Sequence, residues 1–321
     1  MLSIQRYPNN PILKPDPDIP WMSKATMNAG LWHDESGFHM VFSGGGLGDA
    51  YCGDMRLGYA YSSDGIDFDV RDEPLLGPDP DGWDSAGCLD ARVMKYGEDY
   101  FIVYNAGGKH PYRRVGLSKT RDFKTVERIA PLTDPEISDA NVIFFPRKIN
   151  GAYVMMHRPS PFQPSTKAIA ENPDFKFTIK MARSDDMINW TDDRGLCGCQ
   201  YWWENQKIGP CCEPIETKEG WLMLYHGVYL GDDVHIRTYR IGAMLLDLDD
   251  PYKVIARTPE PIMSPETDYE KFGNHDNVIF PCANPVIDGV MHIYYGAADT
   301  CIGLATVPVD DLLAHLKDHR V

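Results

Sequence analysis

The residues Gly37-Phe38-His39-Met40-Val41-Phe42 form a turn glycine followed by alternating aromatic and aliphatic side chains. A short alternating run that follows a turn residue predicts a β-strand. The pattern recurs at Asp99-Tyr100-Phe101-Ile102-Val103-Tyr104, Gly151-Ala152-Tyr153-Val154-Met155-Met156, Gly220-Trp221-Leu222-Met223-Leu224-Tyr225 and Gly289-Val290-Met291-His292-Ile293-Tyr294-Tyr295. Each run is followed by a second strand pattern that contains small residues, such as Leu57-Gly58-Tyr59-Ala60 after the first. The chain is therefore a repeat of one β unit.

Repeated β units of this kind are typical of propellers. Three units add a matched turn and edge strand, at Ser63-Asp64-Gly65-Ile66-Asp67-Phe68, Thr120-Arg121-Asp122-Phe123-Lys124 and Ser184-Asp185-Asp186-Met187-Ile188-Asn189-Trp190. The sequence predicts an all-β fold, a five-bladed β-propeller that forms a single domain over residues 1–321. A two-sheet β-sandwich is the alternative, and it does not explain five matched units. A short C-terminal helix is predicted from Asp310 to Arg320, where Leu312, Leu313 and Leu316 share one face.

Composition excludes several classes of partner. The net charge of −16 argues against nucleic acid and against an anionic membrane surface, because both require a basic face. The first residues show no apolar leader, and no run of eighteen apolar residues occurs, so the cytoplasm is the expected location. Cys197, Cys199, Cys211 and Cys212 lack a standard zinc spacing. We interpret them as free thiols, with structural zinc as the alternative.

A polar residue precedes each of the five aromatic strands: Asn28, Asp90, Asn141, Glu213 and Asn277. In a propeller the innermost strand of each blade starts at the central channel, where ligands usually bind. Polar residues also cap strand ends in ordinary loops, which is the alternative for any one of them. Five in register predict a polar funnel.

Charged residues at strand ends indicate an anion site in the funnel. Arg158 and His226 end the third and fourth aromatic strands, and Asp299 follows the fifth. Lys207 follows a pair of tryptophans. Asp90 and Arg92 stand two apart, and such positions face the same side of an extended strand, so the two side chains can pair or share a ligand. An ion pair that only fixes a loop is the alternative.

Several segments together resemble glycoside hydrolase family 130, the β-mannoside phosphorylases and related mannosidases. The similarity runs from Asn10-Pro11-Ile12-Leu13 to Ala297-Ala298-Asp299-Thr300 and is strongest at Phe145-Pro146-Arg147-Lys148-Ile149-Asn150-Gly151, Trp203-Glu204-Asn205, Lys207-Ile208-Gly209, Tyr225-His226-Gly227 and Leu245-Leu246-Asp247-Leu248-Asp249-Asp250-Pro251. The resemblance implies a five-bladed propeller. It also implies inverting phosphorolysis of β-1,2- or β-1,4-linked manno-oligosaccharides or mannosyl-glucose, which yields α-D-mannose 1-phosphate.

The resemblance assigns roles to residues of this chain. It implies that Asp90 is the catalytic acid, and that the proton travels through the 3-hydroxyl of the mannose to the bridging oxygen. The residues it implies for phosphate are Asn141, Arg158, Lys207, His226 and Tyr294. Those it implies for the sugar are Asp299 and Asn28, with Arg92 and Glu213 beside them as further candidates for substrate contact.

The chain departs from the family pattern at three places. Ala140 stands where many members have Arg or Lys, which removes one cation from the phosphate site. Phe42-Ser43-Gly44-Gly45 replaces a Tyr-Arg that contacts the sugar, and Cys211-Cys212-Glu213 introduces a new carboxylate.

Two other functions stay open at this point. An inverting hydrolase needs a second carboxylate as base, and Glu213 is the first candidate for that role. A non-catalytic sugar-binding propeller is the other alternative. No cofactor is expected, with inorganic phosphate as co-substrate. The expected partners are a manno-oligosaccharide and phosphate, with no nucleic acid and no membrane. Assembly into a homo-oligomer is compatible with the resemblance.

Overall fold

A computed structural model describes residues 2–46, 54–108, 112–231 and 236–321. Within these ranges the chain forms five antiparallel sheets of four or five strands each. The first strand, β1 (Gln5–Arg6), belongs to the last sheet. A 3-10 helix at Pro20–Met22 then leads into the first blade.

The blades follow one another along the chain. Blade 1 contains β2 (Ala25–Asp34), β3 (Gly37–Gly45), β4 (Arg56–Ser62) and β5 (Asp69–Val70). Blade 2 contains β6 (Gly87–Tyr96), β7 (Asp99–Gly107), β8 (Arg114–Thr120) and β9 (Glu127–Pro131). Blade 3 contains β10 (Ile143–Phe144), β11 (Tyr153–His157), β12 (Thr178–Ser184) and β13 (Thr191–Gly198), with helix α1 (Thr166–Glu171) between β11 and β12.

The last two sheets carry an extra short strand each. Blade 4 follows a 3-10 helix at Trp202–Glu204 and contains β14 (Lys207–Pro210), β15 (Ile215–Thr217), β16 (Gly220–Leu230), β17 (Arg237–Leu246) and β18 (Val254–Arg257). Blade 5 follows helix α2 (Asp268–Lys271) and contains β19 (Ile279–Ala283), β20 (Val286–Ile287), β21 (Val290–Ala297), β22 (Cys301–Pro308) and β1. Helix α3 (Val309–Lys317) comes last.

The predicted propeller is confirmed. The predicted C-terminal helix is present as α3, one residue earlier at its start and three earlier at its end. Among the described residues, no helix is long and apolar enough to cross a membrane.

The apolar residues lie between the blades, and their alternation explains how. On β3, Met40 and Phe42 pack against blade 5, while Val41 between them packs against blade 2. On β10, Phe144 packs against blade 2 and its neighbour Ile143 against blade 4. Successive side chains of a strand point to opposite faces, so each blade presents an apolar face to both neighbours. This is why the strands carry large apolar residues on both faces.

The matched turns after the third strand of blades 1, 2 and 3 have one geometry. In blade 1, the Asp64 carboxylate accepts the backbone N–H groups of Ile66 and Asp67 at 2.9 and 3.0 Å. Asp122 and Asp186 accept two backbone N–H groups in the same way. These bonds hold the pKa of each of the three carboxyls below its usual value. The sequence repeat is therefore a repeat of hydrogen-bonded turns.

The ring is closed by the two ends of the chain. Strand β1 pairs with β22, with Gln5 opposite Thr306 and Arg6 opposite Ala305. The Arg6 guanidinium also contacts the buried Glu270 carboxylate at 2.8 Å. The outer strand of blade 5 is thus supplied by the N-terminal segment.

Candidate active site

One cavity of about 200 Å3 collects most of the predicted site residues. Its wall contains Asn28, Asp90, Asn141, Arg158, Lys207, His226 and Asp299. These residues come from all five blades, so the cavity lies at the centre of the ring. We name it the reaction cavity. The predicted funnel is present, although not all of its predicted members line it.

Four of its residues have an unusual backbone conformation, among them Asp299 with a φ of 47°. Asn28, Asp90 and Asn141 have φ values of 51°, 56° and 60°. The left-handed region costs an ordinary L-residue about 1–2 kcal/mol, and Asn and Asp tolerate it best. The pairing register of β2 with β3 and of β6 with β7 shifts at Asn28 and Asp90, as in a β-bulge. Such strain concentrates at functional sites because it aims side chains that a regular strand would not.

The Asp90 carboxylate is held by two side-chain amides. Asn28 Nδ2 donates to Asp90 Oδ1 and Asn105 Nδ2 donates to Asp90 Oδ2, both at 2.7 Å. The Asp90 backbone N–H donates to Ser43 Oγ at 2.8 Å. Asn105 Oδ1 in turn accepts the backbone N–H of Asn141 at 3.2 Å. The carboxylate is buried and fixed in orientation, which suits a proton donor whose target is defined by geometry.

Arg92 does not pair with the Asp90 carboxylate, contrary to the sequence-based expectation. The bulge at Asp90 breaks the i, i+2 relation on which that expectation rested. The Arg92 guanidinium instead donates to the Asp90 backbone carbonyl at 2.7 Å and to the Cys211 carbonyl at 3.0 Å. Arg92 also lies outside the lining of the reaction cavity. Its direct contact with substrate is therefore not supported by its position.

Arg158 is a buried cation with spare hydrogen-bond donors. Its backbone N–H donates to Asp139 Oδ1 at 3.1 Å, which fixes the main chain. Its Nε and Nη1 atoms have no hydrogen-bond partner among the described residues. Burial lowers the pKa of Arg158 to about 10, so the guanidinium stays charged at neutral pH. Unused donors on a buried cation are what an anion would complete.

Lys207 and His226 on blade 4 are also buried, and both lie near the charge of Arg158. Burial lowers the pKa of Lys207 well below its usual value, and the charges of Arg158, Arg237 and Arg113 act in the same direction. Burial and the charge of Arg158 likewise lower the pKa of His226 well below its usual value. His226 Nε2 has no partner among the described residues. An anion in the cavity would relieve this mutual repulsion.

Two glycines make room for these side chains. A Cβ atom on Gly209 would lie 2.5 Å from His226 Cε1 and 3.1 Å from Asn141 Nδ2. A Cβ atom on Gly296 would lie 2.0 Å from Asn28 Oδ1. At 2.5 and 2.0 Å a Cβ atom would overlap His226 and Asn28, so these two side chains could not keep their positions beside any other residue.

Four polar residues of the reaction cavity were not predicted from the sequence: Arg113, Arg237, Tyr239 and His275. Lys207 Nζ donates to the Tyr239 hydroxyl at 2.6 Å, and the Tyr239 ring stacks on His226 with centroids 6.0 Å apart. Arg113 and Arg237 bring two further cations to the wall. These two arginines, from blades 2 and 4, supply positive charge that the sequence does not provide at Ala140. Arg237 and Tyr239 are two apart at the start of β17, a spacing that offered a weak signal.

Three further predicted positions lie outside the reaction cavity. The Tyr294 hydroxyl donates to the Gly65 carbonyl at 2.8 Å, inside the apolar cluster between blades 5 and 1, so it is not placed to hold phosphate. Glu213 lines a different cavity, so its position does not support a role as base beside Asp90. Asn277 lies in the loop before β19 and does not line the reaction cavity.

The cysteines predicted as free thiols or zinc ligands lie on blades 3 and 4. Cys211 and Cys212 are buried, and Cys197 and Cys199 are half-buried. In the part of the chain that the structure describes, no group of three or more His, Cys, Asp or Glu side chains is arranged to hold a metal ion.

His157 does not line the reaction cavity, but it contacts Asp139, the residue that holds the backbone of Arg158. Its Nδ1 lies 2.6 Å from Asp139 Oδ2 and its Nε2 lies 3.1 Å from Asp193 Oδ1. Burial alone would lower the pKa of His157, but the two carboxylates reverse the sign and raise it to about 9. The same Asp139 carboxylate accepts the backbone N–H groups of Ala140 and Arg158. A charged His157 therefore anchors the segment that positions Arg158.

Replacing this histidine, His157→Gln, should lower stability in a pH-dependent way. A raised histidine pKa adds stability that is fully present below the unfolded value, about 6.5, and is lost as the pH rises through about 9. The free energy of unfolding should fall by on the order of 2–3 kcal/mol at pH 6 and by much less at pH 10. Urea denaturation at both pH values measures this.

The control for that experiment is His319→Gln, which alters a histidine of the C-terminal segment. His319 forms no ion pair among the described residues. Its replacement removes no carboxylate partner, so the free energy of unfolding at pH 6 should fall far less than in His157→Gln. Equal stability losses for His157→Gln at pH 6 and pH 10 would show that the ring is neutral in the folded protein.

Known proteins resemble this chain over nearly its whole length. A family model described as beta-1,4-mannooligosaccharide phosphorylase matches residues 24–318. A 1,2-beta-oligomannan phosphorylase of Thermoanaerobacter sp. (strain X514) is 36% identical over 97% of this chain and 99% of its own length. A beta-1,4-mannooligosaccharide phosphorylase of Ruminococcus albus is 34% identical over 98% of this chain and 91% of its own.

A solved structure shares the fold and the extent of the chain. The beta-1,2-mannobiose phosphorylase of Listeria innocua, in complex with beta-1,2-mannobiose, superposes with a TM-score of 0.86. The two sequences are 26% identical, and the match covers 99% of this chain and 100% of the Listeria chain.

Proposed function

We propose, since this chain belongs to glycoside hydrolase family 130, that it is an inverting phosphorylase that cleaves β-mannosides with inorganic phosphate. The products would be α-D-mannose 1-phosphate and the shortened saccharide. One observation carries the proposal: a fixed carboxylate, Asp90, shares one cavity with a cluster of cations. The cations are Arg113, Arg158, Lys207 and Arg237.

The proposed reaction balances with a single protein acid. Protonated Asp90 gives its proton, through the 3-hydroxyl of the mannose, to the bridging oxygen. The bond between that oxygen and the anomeric carbon breaks, and a phosphate oxygen bonds to the carbon from the opposite face. Hydrogen phosphate loses its proton in forming the ester, and that proton restores the acid. Inversion follows from attack on the face opposite the leaving group.

The cations favour phosphate over water as the nucleophile. An inverting hydrolase needs a second carboxylate as base, about 6.5–9.5 Å from the acid. Glu213, the candidate for that base, lines another cavity. A phosphate dianion needs no base but must be held against a protein of net charge −16. Arg158 and His226 have unpartnered nitrogens for this purpose among the described residues.

The proposal also covers the place of the reaction. A sugar phosphate made in the cytoplasm is retained there by its charge and enters metabolism directly. We therefore keep the cytoplasm as the proposed location, with an epitope-tagged protein followed by cell fractionation as its test.

Phosphate dependence of turnover tests the proposed function directly. Incubation with β-1,2- and β-1,4-mannobiose plus phosphate should produce mannose 1-phosphate, detected by 31P NMR, and the proton coupling of the anomeric carbon should identify the α anomer. Without phosphate, no mannose should be released. Release of free mannose at a rate independent of phosphate would establish hydrolysis instead, and no turnover of any mannoside would indicate a sugar-binding propeller.

A further inference from the structure

A second cavity of about 270 Å3 lies at the other end of the central channel. All five blades contribute to its wall, with Trp32, Arg92, Ile143, Glu213 and Asn284 as one residue from each. It shares no lining residue with the reaction cavity. We name it the far cavity. None of the proposed chemistry uses it.

The walls of the far cavity are mainly apolar. Its lining includes Leu31, Val93, Met94, Pro146, Ile215 and Val286. Sites for drug-sized ligands measure about 300–1,000 Å3, so this volume suits a smaller molecule. Ordered water needs about two to four polar partners at each position, and such walls provide few. The shape and chemistry favour a small ligand with an apolar body.

Arg92 brings a buried positive charge to this wall, and its guanidinium lies over the Phe280 ring, 5.4 Å from the ring centroid. The residue is 3% exposed, and its two hydrogen-bonded nitrogens donate to the neutral carbonyls of Asp90 and Cys211. Its Nη2 atom has no partner among the described residues. Among the described residues, no carboxylate forms an ion pair with the Arg92 guanidinium. Buried charges are normally paired with an opposite charge, so this wall favours an anionic ligand.

Two further groups of the far cavity are hydrogen-bond donors. Asn284 is 5% exposed, and its Nδ2 has no partner within the described residues. Burial raises the pKa of Glu213 to about 8, so its carboxyl is largely protonated at neutral pH and can donate. A single cation with two neutral donors matches a singly charged acceptor group better than a dianion. A carboxylate has the required charge and enough lone pairs for all three donors.

We infer that the far cavity binds a small monocarboxylate with an apolar body, its carboxylate group directed at Arg92, Asn284 and Glu213. Arg92 also holds the backbone carbonyl of Asp90, so the occupant is separated from the candidate acid by one side chain.

Calorimetric titration with hexanoate, in saturating phosphate to occupy the reaction cavity, tests this inference without any mannoside. Hexanoate should bind at one site per chain, while 1-hexanol, which lacks the charge, should not bind. Asn284→Asp turns a donor into an acceptor and should weaken hexanoate binding at least about tenfold. No saturable binding of hexanoate, or equal binding of hexanol, would overturn the inference.

A blocking variant and its matched control locate the binding. Val286 is 38% exposed at the mouth of the far cavity, and Val286→Trp should abolish hexanoate binding. Ile188 is 39% exposed in a turn of blade 3, and Ile188→Trp should leave binding unchanged. Hexanoate binding that survives both Val286→Trp and Asn284→Asp would place it elsewhere and reject the far cavity.

The pH dependence of binding tests the donor role of Glu213. Affinity should fall as the pH rises through about 8, because the ionised carboxylate repels the ligand. Glu213→Gln keeps a donor and should remove this dependence. The other charged or titratable groups near Glu213 are Arg92, His33, Tyr96, Cys212, Cys282 and Glu216, the last of which is paired with Arg147. An unaltered pH dependence in Glu213→Gln would contradict the proposed arrangement.

Discussion

Asp90→Asn should reduce kcat about 10²–10⁴-fold, the range expected when a general acid is lost, with little change in KM for the mannoside. The amide has nearly the same shape as the carboxyl but supplies no acidic proton. Asn105 cannot reorient, because its Oδ1 already accepts the backbone N–H of Asn141. Asn28 can, since its Oδ1 has no partner in the described part of the chain. The new amide NH2 should therefore face a rotated Asn28, and the fold should be kept.

The melting temperature and a substrate titration separate this loss from misfolding. Asp90→Asn should melt within a few degrees of the wild type and still bind mannobiose. Glu213→Gln is the matched carboxyl-to-amide control, and it should retain turnover because its side chain lies in the far cavity. Activity retained in Asp90→Asn, or lost in Glu213→Gln, would require a different acid or a hydrolytic base.

Arg158→Ala should raise the KM for phosphate about 100-fold or more. The substitution removes a buried guanidinium whose Nε and Nη1 atoms form no hydrogen bond with any of the described residues. Each charge-assisted hydrogen bond contributes about 1.5–3 kcal/mol, and two of them account for an effect of this size. The KM for the mannoside should change far less, since the missing group serves the phosphate. Initial rates at varied phosphate and fixed mannobiose measure the effect.

The control for this variant is a second arginine of blade 3. Arg183 lies on β12, also has an Nε without a partner among the described residues, and does not line the reaction cavity. Arg183→Ala should leave the phosphate KM unchanged. If Arg158→Ala altered the mannoside KM and spared phosphate, the anion site would have been placed on the wrong side of the cavity.

Local pattern was sufficient to predict the repeat and the parts of the site that stand in register with it. Asn28, Asp90 and Asn141 occupy matching places before their strands, and they meet because the blades are arranged around one axis. Arg158, Lys207 and His226 follow the same logic on blades 3 and 4. The family resemblance added the role of each residue to this placement.

The errors have separate causes. Bulges are not visible in an alternating pattern, so the pairing of Arg92 with the Asp90 carboxylate was wrong. The role of Tyr294 was implied by the family resemblance, which does not report the contacts of this chain, and its hydroxyl donates to Gly65 of blade 1. Arg113 reaches the cavity from the segment before β8, where no local pattern marks it, and the spacing of Arg237 and Tyr239 offered only a weak signal.

The pairing of β1 with β22 has a consequence for how the protein is made. The ribosome synthesises Gln5 and Arg6 some 300 residues before their partners Thr306 and Ala305. Strand β1 therefore has no partner strand while blades 1 to 4 are synthesised. Closure of the ring, and with it the assembly of a cavity that needs all five blades, can occur only after β22 has been translated.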